Sequence, residues 1–189
     1  MIEFIDDNTK IEYEVDLIDD TGLEFLKFLD RVRKNDSNTV VIFGTEDGIK
    51  NVSQFQFNAM YGKYITFGLH DVFERFVPHY LLYFDEVINN RLAQGYIGRG
   101  IWIRKNGDNH IILPVLKFCQ LAGIEKIVLC GLDFDNIKKT GKNGMLVHKQ
   151  ISSALRLLFN ENNCEIIYTD ESNFLNSLEF ARKERLNWV

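Results

Sequence analysis

The chain has 189 residues, of which 46% are hydrophobic and 26% charged, and it carries a formal net charge of -5 at pH 7. That length and apolar content allow a core without metals or disulfides, and they suit one domain over residues 1–189 better than two. The acidic balance provides no electrostatic footprint for a nucleic-acid backbone, although it leaves room for a small phosphorylated ligand.

The N-terminal residues MIEFIDDNTK are too acidic and polar for a secretory signal. From Ile2 to Ile18, apolar and acidic residues alternate around Asp6-Asp7-Asn8-Thr9, which predicts an antiparallel hairpin extending the main fold. Thr21 and Glu24 then have capping-box spacing, and Leu23, Phe25, Leu26, Phe28, Leu29 and Val32 follow at roughly helical spacing.

Beyond this helix, short apolar runs recur with helical segments between some of them. The predicted strands are Thr39 to Phe43, Tyr64 to Phe67, Tyr80 to Phe84, Ile101 to Ile103, Lys126 to Cys130 and Cys164 to Tyr168. The predicted helices are Gly48 to Met60, Ile111 to Ala122, Val147 to Asn160 and Asn173 to Leu186, with Arg182, Lys183 and Arg185 as cations near the last helix end. Alternation of this kind predicts an α/β fold with a mostly parallel sheet flanked by helices. No apolar run reaches the roughly 18 residues needed to span a bilayer, so a cytoplasmic protein is expected. Cys119, Cys130 and Cys164 sit in apolar segments without C-x-x-C spacing and are read as buried free thiols. The aromatics from Phe55 to Phe84 are read as core.

In an open parallel sheet, ligands bind beyond the carboxyl ends of the strands, where loop amides and helix N-termini converge. The turns there read Gly44-Thr45-Glu46-Asp47-Gly48, Gly68-Leu69-His70-Asp71, Asp85-Glu86, Asn106-Gly107-Asp108-Asn109-His110, Gly131-Leu132-Asp133-Phe134-Asp135 and Thr169-Asp170-Glu171-Ser172-Asn173. Glycine with Asp, Asn, Ser or Thr is also what such turns need for their own geometry and capping. Three histidines, His70, His110 and His148, lie in or beside these loops, a placement harder to explain by capping alone, although a lone loop histidine is usually just solvated. Gly44, Thr45 and His70 are therefore read as substrate-binding. Neither a G-x-G-x-x-G fingerprint nor a G-x-x-x-x-G-K-[ST] loop is present, and G-x-S-x-G and H-E-x-x-H are also missing.

Three passages share a pattern with known proteins: Ile65-Thr66-Phe67-Gly68 through Pro78-His79-Tyr80 to Phe84-Asp85; Asn109 through Leu121-Ala122-Gly123 and Lys126 to Cys130, ending Gly131-Leu132-Asp133-Phe134; and His148 through its helix to Glu165-Ile166-Ile167-Tyr168. Over about two thirds of its length the chain thereby resembles a family of Rossmann-like transferases that includes the bacterial lipooligosaccharide sialyltransferases and the archaeal hydroxymethylpterin diphosphokinase-like proteins. The resemblance implies that Asn109, Gly131 and Asp133 lie against a nucleotide and that His148 is the general base deprotonating an acceptor hydroxyl. An imidazole suits that task because its ordinary pKa of about 6.5 leaves it largely neutral at pH 7.

The sequence departs from the family where Phe43 leads into Gly44-Thr45-Glu46-Asp47, because two carboxylates repel a phosphate unless a cation intervenes. It departs again where Asp135 to Val147 reads as a short polar loop in place of a longer lid. The leading expectation is a nucleotide-sugar-dependent glycosyltransferase with a CMP-sugar donor, no resident cofactor and no metal ligands, needing a partner or a second copy to exclude water. Two alternatives stay open. One is a non-catalytic nucleotide-binding or interaction protein on the same fold. The other is a phosphotransferase using Asp85, Asp133 or Glu46 with Mg²⁺.

Overall fold

A computed structural model describes residues 2–6, 11–15, 19–34, 38–45, 48–83, 99–102, 110–137 and 142–185. Asn109, Glu46, Asp47, Asp85, Glu86 and residues 106–108 lie outside them.

The predicted N-terminal hairpin is present as β1 (Ile2–Asp6) and β2 (Ile11–Val15), an antiparallel pair in which Phe4 faces Tyr13. It forms its own two-stranded sheet. Helix α1 (Asp19–Lys34) follows, beginning ahead of Thr21 and ending on basic residues that suit the helix dipole.

The main sheet contains β3 (Thr39–Phe43), β4 (Ile65–Leu69), β5 (Tyr80–Tyr83), β6 (Arg99–Trp102), β7 (Lys126–Cys130), β8 (Glu165–Tyr168) and β9 (Ala181–Lys183). Every pairing within it is parallel, and the strand order is β6-β5-β4-β3-β7-β8-β9. The chain starts at β3, steps outward to β6, and returns to place β7 on the other side of β3. The fold is therefore Rossmann-like, with its topological switch point between β3 and β7.

Strand composition follows from burial on both faces. Val40 and Ile42 join one apolar cluster, while Val41 and Phe43 join the other, so TVVIF reads as a continuous apolar run. The first cluster is covered by α1, by α3 (Ile112–Ala122) and by α5 (Lys142–Asn162) through Phe28, Leu116, Ile151 and Leu155. The second is covered by α2 (Gln54–Lys63) and by the 3₁₀ turn His70–Glu74 through Phe57, Met60 and Val72. The one-turn helices α4 (Phe134–Ile137) and α6 (Asn173–Asn176) sit at the carboxyl end of the sheet. Among the described residues, no helix is long and apolar enough to cross a membrane.

Local chemistry set three helix boundaries, two of them away from the expected position. Helix α2 starts at Gln54 and not near Gly48, because the Ser53 side chain accepts the Gln56 N–H while Gln56 Oε1 accepts the Ser53 N–H at 2.9 Å. Helix α3 stops at Gly123, whose φ of 68° lets the Ile124 N–H turn back to the Cys119 carbonyl. Helix α5 starts at Lys142, so most of the segment from Asp135 to Val147, read as a loop, is helical.

The predicted helix from Asn173 to Leu186 is a correction. One helical turn is capped by Ser172 and closed at Ser177, after which β9 pairs with β8 and the Glu184 N–H donates to the Tyr168 carbonyl. Sheet-edge hydrogen bonds there override helical spacing. Arg182 pairs with Glu165 and Glu184, and Lys183 pairs with Glu171, so these cations dress a sheet edge and not a helix end.

Candidate functional site

The switch point is closed by backbone packing. The Gly44 N–H donates to the Cys130 carbonyl at 2.8 Å, joining the two strand ends. A Cβ on Gly44 or on Gly48 would fall on the Gly131 carbonyl oxygen, well inside contact distance. Gly131 has a φ of 66°, and a Cβ there would lie 2.5 Å from the Gly48 carbonyl carbon. These three glycines serve close approach between two turns of the protein itself. The Gly131 N–H is bound by the Asp170 carboxylate, which also accepts the Thr169 hydroxyl at 3.0 Å. Thr45 is exposed, with its hydroxyl oxygen 3.4 Å from the Gly48 N–H.

Near the carboxyl ends of the strands, His70 and His148 lie within electrostatic reach of His110. His70 follows β4 and takes a left-handed φ of 53°, uncommon for a residue with a side chain. His110 precedes α3, and His148 lies on α5. The His110 imidazole is pushed down to about 4, first by burial and then by the neighbouring charges of His70 and His148. It is therefore neutral at pH 7. Its Nδ1 accepts the Ile112 N–H at 3.3 Å, so the proton of the neutral ring sits on Nε2 as a donor.

His148 is held differently. Its Nε2 lies 2.5 Å from the Phe134 carbonyl oxygen, which can only accept, so Nε2 carries the proton and Nδ1 is the basic nitrogen of the neutral ring. The ring also packs on Phe174 at a centroid distance of 4.4 Å, and Phe174 packs on Phe134 at 5.3 Å. Asp135 fixes that aromatic support. Its carboxylate accepts the Asn173 N–H at 2.8 Å and the Phe174 N–H at 2.9 Å, capping α6. Burial pushes the Asp135 carboxyl up, but hydrogen bonds from Asn173, Phe174 and Ser172 outweigh it and leave the group below its usual value.

Of the residues singled out in the sequence, the structure brings His70 and His148 within electrostatic reach of His110 and brings Gly44 against Gly131. Asp133 is exposed and turned to its own helix, with both carboxylate oxygens engaged by Asn136. Asp135, Asp170, Phe134 and Phe174 were missed as support for the site. Their signal was only their place in the turns after β7 and β8. Among the described residues, no group of three or more His, Cys, Asp or Glu side chains is arranged to hold a metal ion.

The buried thiols are chemically quiet. Burial raises Cys130 and Cys164 to about 12 and lifts Cys119 well above the ordinary thiol value. Compared with known proteins, the chain matches no family model, no curated protein and no solved structure.

Proposed function

We propose that the carboxyl edge of the sheet binds a nucleotide-sugar, with CMP as the favoured nucleotide, and that His148 is the general base of transfer to an acceptor hydroxyl. The observation that carries this reading is the pairing of tautomers at the histidine cluster. His148 is anchored through Nε2–H and keeps Nδ1 as its base, while His110 is neutral and presents Nε2–H as a donor. A base and a neutral donor within electrostatic reach of each other suit displacement at a sugar carbon. The acceptor oxygen forms the new bond to that carbon, its proton passes to His148 Nδ1, and the bond to the nucleotide phosphate breaks with its electron pair going to the phosphate oxygen. His110 would donate a hydrogen bond to that developing anion. A second copy of the chain or a partner would cover the open edge and exclude water.

A second reading has its own support. Gly44, Gly48 and Gly131 pack against one another where a nucleotide phosphate would approach the backbone, and Asp133 is used in capping. A chain that binds a nucleotide without transferring anything fits that closure. The two are separated by thermal shift with CMP, CDP, UDP, GDP and ATP, with and without Mg²⁺, followed by turnover with a CMP-sugar. Stabilisation by CMP together with turnover supports the transferase. Stabilisation without turnover supports the binding protein. Stabilisation by ATP only with Mg²⁺ overturns the CMP-sugar transferase and favours a phosphotransferase.

A further inference from the structure

At the opposite edge of the sheet, beside the amino ends of β4 and β5, a cleft of about 210 Å³ is lined by Arg31, Lys34, Tyr61, Gly62, Tyr64 and His79. We propose that this cleft is a binding site for a phosphate group, either free phosphate or a phosphate monoester, separate from the histidine cluster at the carboxyl edge.

The charge is local and opposed to that of the chain, which is acidic overall. Arg31 and Lys34 arrive from the last turn of α1, where the helix dipole favours cations. That preference explains basic residues on the helix end but not their convergence on a cavity walled by two tyrosines and a histidine from other elements. Lys63, outside the lining itself, places its ammonium 5.2 Å from the centre of the Tyr64 ring. None of the described lining residues is a carboxylate. Asp30 pairs with Lys34 at 2.6 Å on the exposed surface of α1, and an ammonium with three donors can serve both that partner and an anion.

The polar wall is built in advance. His79 is only 7% exposed, its backbone N–H donates to Thr66 Oγ1 at 2.9 Å, and its Nδ1 accepts the Thr66 N–H at 3.1 Å. The Tyr61 ring stacks on it at a centroid distance of 3.8 Å. Held this way, the His79 ring is oriented before a ligand arrives. Gly62 also lines the cleft. It sits inside helix α2, where glycine is unfavourable, yet a Cβ there would meet nothing within 4 Å, so packing does not require it. A guanidinium fork with a nearby ammonium is the usual donor set for phosphate. The volume is small for a whole nucleotide and adequate for a phosphate with a short substituent.

The test titrates the full chain with inorganic phosphate and separately with phenyl phosphate, against sodium chloride at matched ionic strength, following the His79 ring proton resonances and the heat of binding. The expected result is saturable movement of the His79 signals, weakened about tenfold in Arg31→Gln and in Lys34→Gln, and unchanged in His148→Ala. Tighter binding of phenyl phosphate identifies a monoester, and tighter binding of inorganic phosphate identifies the free anion. Both outcomes support the site. A response equal to that of chloride, or binding lost in His148→Ala and retained in both cleft variants, overturns it.

Discussion

The His148 imidazole is tied through Nε2 to the main-chain carbonyl of Phe134, 2.5 Å away, so the backbone of a one-turn helix decides which nitrogen of the ring is basic. His148→Ala removes that base and one part-buried hydrogen bond. The fold should survive, because such a bond contributes about 1 kcal/mol. On the proposed transferase reading, transfer from a CMP-sugar should fall below detection while CMP still raises the melting temperature. Retained turnover would remove His148 from the mechanism.

His110 makes stability depend on pH. Its folded value of about 4 lies below the ordinary histidine value of 6.5, so between the two the unfolded chain binds more protons. Stability is then complete above about pH 6.5 and falls as the pH drops toward 4, by an upper bound of about 3 kcal/mol. Urea unfolding at pH 7 and pH 5 should show this loss in the parent chain and a smaller one in His110→Gln. Equal losses would place the titrating group elsewhere.

Gly131→Ala combines a left-handed backbone with a steric conflict against Gly48. A destabilisation of roughly 2–4 kcal/mol is expected from strain and overpacking together. Thermal unfolding measures it, and a change within experimental error would show that the two turns separate easily.

Asp135→Ala should act at a distance. Removing a helix cap costs about 1 kcal/mol, and α6 carries the Phe174 ring that packs on His148. The His148 ring proton resonances should therefore move, whereas those of His79 at the opposite edge should not. Unmoved His148 signals would mean that Phe174 keeps its place without the cap.

Cys119, Cys130 and Cys164 are fully buried free thiols with raised pKa values. Dithionitrobenzoate at pH 8 should label none of them in the native chain and all three after denaturation. Rapid labelling of the native chain would reveal an opening that exposes the core.

What the sequence determined by itself was the succession of elements. The runs Thr39 to Phe43 and Lys126 to Cys130 were legible to the residue because strands buried on both faces leave unbroken apolar stretches. The N-terminal hairpin was legible through its alternation, and the three thiols through their apolar neighbours. Ser53 and Gln56 carried a cap that the helical reading from Gly48 overlooked, an error of local chemistry. The tertiary structure alone decided the rest. Residues 181–183 became an edge strand because β8 offered unpaired backbone groups and Glu165 offered a partner for Arg182, neither visible in a helical spacing. Gly131, which reads as a nucleotide cradle, packs on Gly48, since a glycine in sequence does not say whether protein or ligand approaches it. His70, His110 and His148 are spread over 79 positions of the chain. Only the return of the chain from β6 to β7 brings them to one place, where burial and mutual charge set the chemistry of His110.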